Sequence, residues 1–225
     1  MRTNNTFKAF KSLVFGAFLS AIFASVSLAK SYDELPQHVQ LKDAKGTIVE
    51  IFSYQCIHCY NHFRAKTMAL LGQKFPNMIF HEWQVAQMGE YGAQMDKILA
   101  FAHALDLRDG LDSVLSENSY TNKILKAYFE ATFKHRFRFS DEGQFYSIAL
   151  AIFNEMHKIT VNDIQNYALS ESGKAYLAKS AQAYEVAKIN GTPGFIINGK
   201  YLLDMSKINS IDDLQKVVSE LVDKY

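Results

Sequence analysis

The stretch EIFSYQCIHCYNHF, residues 50–63, carries the only two cysteines of a 225-residue chain, Cys56 and Cys59, with Ile57 and His58 between them and His62 just beyond. Thiols at this spacing can exchange a disulfide with another protein, ligate a metal together with His58 and His62, or close an inert bridge. Structural zinc wants a second ligand pair at a defined distance, and no other cysteine exists. A copper or zinc carrier would have to recruit His81 or His103. An inert bridge over two intervening residues closes too small a loop to constrain much chain, and a chain of this size can bury a core without a staple. The residues favour thiol–disulfide exchange, with metal carriage and an inert bridge as the alternatives.

Such chemistry depends on what holds the sulfurs. Residues 47–53, TIVEIFS, follow Lys45-Gly46 and read as a buried strand. From Cys59 the pattern turns helical, with Phe63, Ala65, Ala69 and Leu70 on one face, and Gly72 is expected to stop it. After the turn at 75–77, residues 78–85, MIFHEWQV, read as a second strand, which completes a βαβ unit with parallel strands. Cys56 then falls where a strand ends and a helix begins. The unpaired N–H groups of a first helical turn favour thiolate over thiol, and His58 can add a donor or a positive charge. Each pKa unit removed from a cysteine reflects about 1.4 kcal/mol favouring the thiolate. Stabilising the reduced form in this way makes the disulfide oxidising. Cys59, one turn into the helix, is expected to be the less exposed, resolving thiol. Glu50 shares a strand face with Ile48 and Phe52. It either reaches solvent at the strand end or is buried; if buried, its pKa rises and it could pass protons to or from Cys59.

Residues 92–189 contain no proline and few β-like runs, and helical patterns recur at 92–106, 122–136, 141–157, 160–169 and 172–189, with Thr160 and Asp163 as a capping pair. Sheet signals return at 195–197 and 201–203 around Asn198-Gly199, the strongest short hairpin signal. Ser210 and Asp213 cap a last helix with Ile211, Leu214, Val217, Val218, Leu221 and Val222 on one face.

The first residues bound the compartment. Arg2, Lys8 and Lys11 precede an apolar run, no acidic residue occurs before Asp33, and residues 27–29 read Ser-Leu-Ala. This is the layout of a secretory signal peptide over residues 1–29, cleaved after Ala29; the run falls short of the roughly 20 residues that span a bilayer. Its removal leaves 21 basic against 23 acidic residues, and without a basic excess nucleic acid is not an expected partner. The run Lys134-His135-Arg136-Phe137-Arg138 reads as a solvated helix end, with an anion or client patch as the alternative, and Trp83 with many of the Phe and Tyr residues as core, some near the cysteines being candidates for a client-binding groove. His62 is expected to cover the surface of the active-site helix.

Taken together, the C-x-H-C motif in FSYQCIHCY, a helical block after the second strand, and Thr192-Pro193 ahead of the NGKY hairpin resemble the DsbA type of periplasmic thiol–disulfide oxidoreductases. The resemblance spans the chain beyond residue 29. It implies an α/β thioredoxin fold with a mixed sheet and a large helical insertion: a thioredoxin-like domain from 30–91 and 190–225, and a helical subdomain over 92–189. It implies that Cys56 is the nucleophile, Cys59 its buried partner, His58 the residue that stabilises the thiolate, and Pro193 a cis-proline facing the disulfide, with the Thr192 backbone and Ile57 meeting the client. A glutamate six residues before the first cysteine, as Glu50 is here, belongs to the same pattern. The redox-active disulfide would be the only cofactor, with no metal. The partners would be reduced exported proteins and a DsbB-like membrane quinone reductase, the protein itself acting as a monomer in the periplasm. Two positions depart from the pattern. Ile57 stands where proline is commonest, and Glu82 aligns where a lysine paired with the strand glutamate is expected. A disulfide isomerase or reductase is the enzymatic alternative, although residues 30–46 leave no room for a dimerisation domain. A metal-carrying or client-holding protein that never cycles its cysteines is the alternative from another class.

Overall fold

In the computed structural model of the protein, residues 30–155 and 157–224 are described; the expected signal peptide lies outside them. A mixed sheet runs in the order β1-β5-β4-β2-β3, with β1 at Tyr32–Glu34, β2 at Thr47–Phe52, β3 at Ile79–Gln84, β4 at Gly194–Ile197 and β5 at Tyr201–Leu203. β2 and β3 pair in parallel, and the other ladders are antiparallel. All of β2 is buried, as expected for a strand covered on both faces. Ile48 shares a core with Phe80, Phe195 and Ile197, whereas Val49 and Ile51 share another with Trp83 and Ile196. The period of two along each strand divides the cores between the faces of the sheet.

Helix α1 spans Ile57–Arg64 and α2 spans Thr67–Lys74. They belong to one crossover, but Lys66 breaks it by adopting positive φ (55°). Gly72 does not stop the helix, contrary to expectation. It lies buried within α2 and packs against the Leu115 side chain, whose Cδ2 would be 2.7 Å from an added Cβ. Helices α3 (Gly92–Arg108), α4 (Tyr120–Phe129), α5 (Glu142–Phe153), α6 (Val161–Leu169), α7 (Glu171–Ser180) and α8 (Gln182–Asn190) follow, and α9 (Ile211–Ser219) ends the series. Thr160 and Asp163 form the reciprocal capping box expected of them. Helix α4 begins before residue 122 because Ser119 caps it by accepting from Asn122 N–H, and it ends in a π-helical turn, Glu130–Lys134. The single helix expected over 172–189 is two. Ala183 and Val186 of α8 join Ile196 of the sheet in one core, while α7 is tied to α3 by the bond from Ser180 Oγ to Asp96 Oδ2 at 2.9 Å.

Strand β1 had no signal in the sequence. Three residues are too few to show alternation, and they become a strand by pairing with β5 in the register Asp33↔Leu202. The hairpin after β4 does follow the sequence, with positive φ at Asn198 (55°) and Gly199 (69°). Asn198 also ties the turn inward: its Oδ1 accepts from Gly46 N–H at 2.9 Å and its Nδ2 donates to Leu221 O at 2.9 Å. Among the described residues no helix is long and apolar enough to cross a membrane.

Candidate active site

The edge where β2 ends and α1 begins is where the two cysteines lie. Cys56 is the N-cap of α1 with extended backbone (φ −93°, ψ 114°), and its Sγ accepts the Cys59 N–H at 3.2 Å. The chain enters this position through a clamp. Gln84 at the end of β3 accepts Tyr54 N–H on Oε1 at 3.0 Å and donates from Nε2 to Val85 O and Met88 O. Tyr54 is fully buried, and its hydroxyl accepts Tyr91 N–H at 3.0 Å. Neither Gln84 nor Tyr54 stood out in the sequence, since a buried amide on a strand carries no local signal of what it will clamp.

Both cysteines are free thiols. Cys56 is half-buried and Cys59 is 1% exposed. From the opposite side, Thr192 O lies 3.2 Å from Cys56 Sγ and accepts its S–H while the thiol is protonated, and the Thr192–Pro193 peptide is cis. Residues 136 positions apart in sequence are thereby brought into one site. Ile57 (46% exposed) and His58 project into solvent on the first turn. His62 is half-buried, with Nδ1 3.1 Å from Thr67 Oγ1 and its ring against Phe195, covering the α1 surface as expected. Among the described residues, no group of three or more His, Cys, Asp or Glu side chains could hold a metal ion.

The two thiols are driven apart in acidity. A hydrogen bond from the Cys59 thiol is the largest influence lowering the Cys56 pKa from 9.0 to about 6, against the opposing effect of burial; the Thr192 side chain and the N–H groups of Cys59 and His58 add to it. His58 thus acts through its backbone, while its imidazole stays exposed. Cys59 is pushed strongly upward, first by burial, then by the bond it donates to Cys56 and by the charge of Glu50. Glu50 is 5% exposed, so the buried alternative is the one realised, and its pKa is raised by burial and by the neighbouring Glu82. One sulfur is held anionic and the other protonated, which is the division of labour that disulfide exchange needs.

Comparison with known proteins places this arrangement. No family model matches the chain. The thiol:disulfide interchange protein DsbL of Lelliottia amnigena is 30% identical over 215 residues, covering 96% of each chain. The chain belongs to the DsbA-type thiol:disulfide interchange proteins. It is a thiol:disulfide oxidoreductase with the thioredoxin fold and a helical insertion. The crystal structure of DsbL from Salmonella enterica serovar Typhimurium superposes with a TM-score of 0.79 at 27% identity, covering 88% of this chain and 97% of that one. A DsbA from Proteus mirabilis solved with a non-covalently bound peptide shares the fold, with a TM-score of 0.65 at 21% identity, covering 89% of this chain and 100% of that one. The parallel register sets Glu82 beside Glu50.

Proposed function

We propose that the protein is a periplasmic oxidase of protein thiols, which donates a Cys56–Cys59 disulfide to exported proteins during their folding. A client thiolate attacks Cys56 Sγ, the Cys56–Cys59 bond breaks, and its electron pair passes to Cys59 Sγ, which takes up a proton. A second client thiolate then attacks the mixed disulfide and expels Cys56 as the stabilised thiolate. The client leaves with one disulfide, and the protein is left as the dithiol, two electrons richer. The observation that carries this reading is the Cys56 sulfur at the α1 N-terminus, bonded to Cys59 N–H and acidified to about 6. A thiolate that is easily held makes the dithiol the favoured partner and the disulfide a strong oxidant.

Thr192 and Pro193 border a groove of about 680 Å³ beside Cys56, which His58, Met205 and Ile208 also line. An extended client segment lying there would meet the Thr192 backbone by strand addition. Ile57, exposed at the rim, would add an apolar contact. The catalytic set is Cys56 and Cys59, with His58, Pro193 and Glu50 as supporting residues. Reoxidation falls to a DsbB-like membrane quinone reductase, and the protein acts as a monomer. The chain divides into the signal peptide (1–29), the discontinuous thioredoxin-like domain (30–91 and 190–225) and the helical subdomain (92–189).

The test is the equilibrium potential against glutathione together with oxidation of a reduced test protein. The oxidase reading expects a potential well above thioredoxin's value of about −270 mV, and rapid disulfide transfer. A thioredoxin-like potential would move the assignment to a reductase. Tight metal binding by the dithiol, without any transfer, would move it to a carrier.

A further inference from the structure

Glu82 has no place in the scheme above, yet it occupies the most unusual position in the sheet. The parallel register pairs Glu50 with Glu82 directly, and adjacent strands lie about 4.8 Å apart, so the two side chains stand side by side on one face. That face is otherwise apolar near them: Ile48, Phe80, Phe195 and Ile197 form its core. Glu50 is 5% exposed. Glu82 is half-buried, and its Oε2 is buried with no hydrogen-bond partner. Among the described residues neither carboxylate forms a salt bridge. Two adjacent carboxylates in low dielectric cannot both ionise at modest cost, and one pKa is driven up by the other. An unpartnered buried oxygen beside a second carboxyl is relieved when the pair holds a proton.

The pair also has a route to water and a neighbour that needs a proton. A cavity of about 440 Å³ is lined by both Glu50 and Glu82. Its other charged or titratable lining groups are Tyr60, His62, Arg64 and Lys66 from α1 and the turn after it, Glu117, and Lys123, Lys126 and Glu130 from the α4 side. The charges of Cys56 and Asp112 act on the pair, and Tyr176 of α7 feels the charge of Glu82. Cys59, in turn, feels the charge of Glu50.

We propose that Glu50 and Glu82 share a proton as a carboxyl pair and exchange it with the Cys59 sulfur, Glu82 acting through Glu50 as a positioning residue. When client attack breaks the Cys56–Cys59 bond, the electron pair goes to Cys59 Sγ, a proton from the pair bonds to that sulfur, and one carboxylate charge remains behind. In the reverse direction Cys59 returns the proton as its sulfur bonds to Cys56 and expels the partner's thiolate. The cavity lets the pair re-equilibrate with solvent between turnovers. This rests on the exchange chemistry proposed above.

Infrared titration of the reduced protein reads the proton without any turnover. Buried Asp96, pushed up to about 7, also contributes un-ionised carboxyl absorption at neutral pH, so the pair is read as the component that D96N leaves in place, that E50Q/E82Q removes, and that E82K, which places a cation beside Glu50, also removes. Absorption that E50Q/E82Q leaves unchanged, or that D96N abolishes entirely, overturns the pair. Single-turnover oxidation of a reduced test protein supplies the second reading. E50Q/E82Q should slow release of Cys59 by about 10²-fold and flatten its pH profile. The near-isosteric E82Q should move the alkaline limb to lower pH, because Glu50 then loses the carboxylate that raises it. Profiles unmoved in both variants, with the unaltered chain active, refute the pair alone. An unaltered chain that oxidises no test protein at any pH refutes the functional reading and the proton transfer with it.

Discussion

The hydrogen bond from Cys59 is the largest influence lowering the Cys56 pKa, so replacing Cys59 should undo much of that acidity. The full displacement, from 9.0 to about 6, corresponds to roughly 4 kcal/mol; for a half-exposed sulfur, solvent screening cuts this to roughly half. A hydrogen bond to a charged acceptor is worth about 1.5–3 kcal/mol, and at this exposure the lower end applies. C59A should therefore raise the Cys56 pKa by about one unit, whereas C59S, whose hydroxyl can still donate, should leave it near the unaltered value. Thiolate absorbance in the ultraviolet, followed against pH on the reduced proteins, measures this directly, because Cys59 stays protonated throughout. The consequence for redox follows the same numbers. At pH 7 a thiol titrating near 6 is ionised roughly tenfold over, which favours the dithiol by about 1.4 kcal/mol and makes the couple about 30 mV more oxidising before screening. The folded pKa is depressed, so the stabilisation of the reduced form is full above 9, declines as pH falls, and is lost below about 6. The stability gap between reduced and oxidised forms, measured by denaturant unfolding, should widen over that window. A Cys56 pKa unchanged in C59A would show that the helix terminus and Thr192 suffice, and would refute the assignment of Cys59 as donor.

Burial first, and Asp112 next, raise Glu82 from 4.5 to about 8. Because its folded pKa is raised, the protein holds this stability below 4.5 and loses it as pH rises through about 8. E82Q should therefore gain more than about 1 kcal/mol over the parent at alkaline pH; equal losses in both chains would contradict this. Asn198 satisfies Gly46 N–H and the carbonyl of Leu221, and N198A should cost about 1–3 kcal/mol in thermal or denaturant unfolding; a loss under half a kcal/mol would mean water replaces the amide. Ile57 opens α1 and is exposed, and proline suits that position. I57P should keep or raise the melting temperature while altering the glutathione equilibrium, and a large loss of stability would show that the turn needs the Ile57 N–H.

The sequence was sufficient for the parts of this protein whose cause is local. A central strand buried on both faces has to be largely apolar, and Thr47–Phe52 is so except at Thr47, at its first position, and Glu50. Asn198-Gly199 encodes its own turn through positive φ, and Thr160 with Asp163 encodes a cap. Two cysteines at a strand-to-helix junction specify a thiolate at a helix start before any packing is known. Other features exist only through partners distant in sequence. β1 is a strand because β5 offers an edge, Gly72 is buried because Leu115 packs over it, and Thr192 meets Cys56 because β4 lies beside β2. Glu50 left its environment open, since a strand carboxylate can be buried or solvated with the same neighbours in sequence. Only the pairing of β2 with β3 put a second carboxyl beside it, because register, not local propensity, selects which side chains face one another across a sheet.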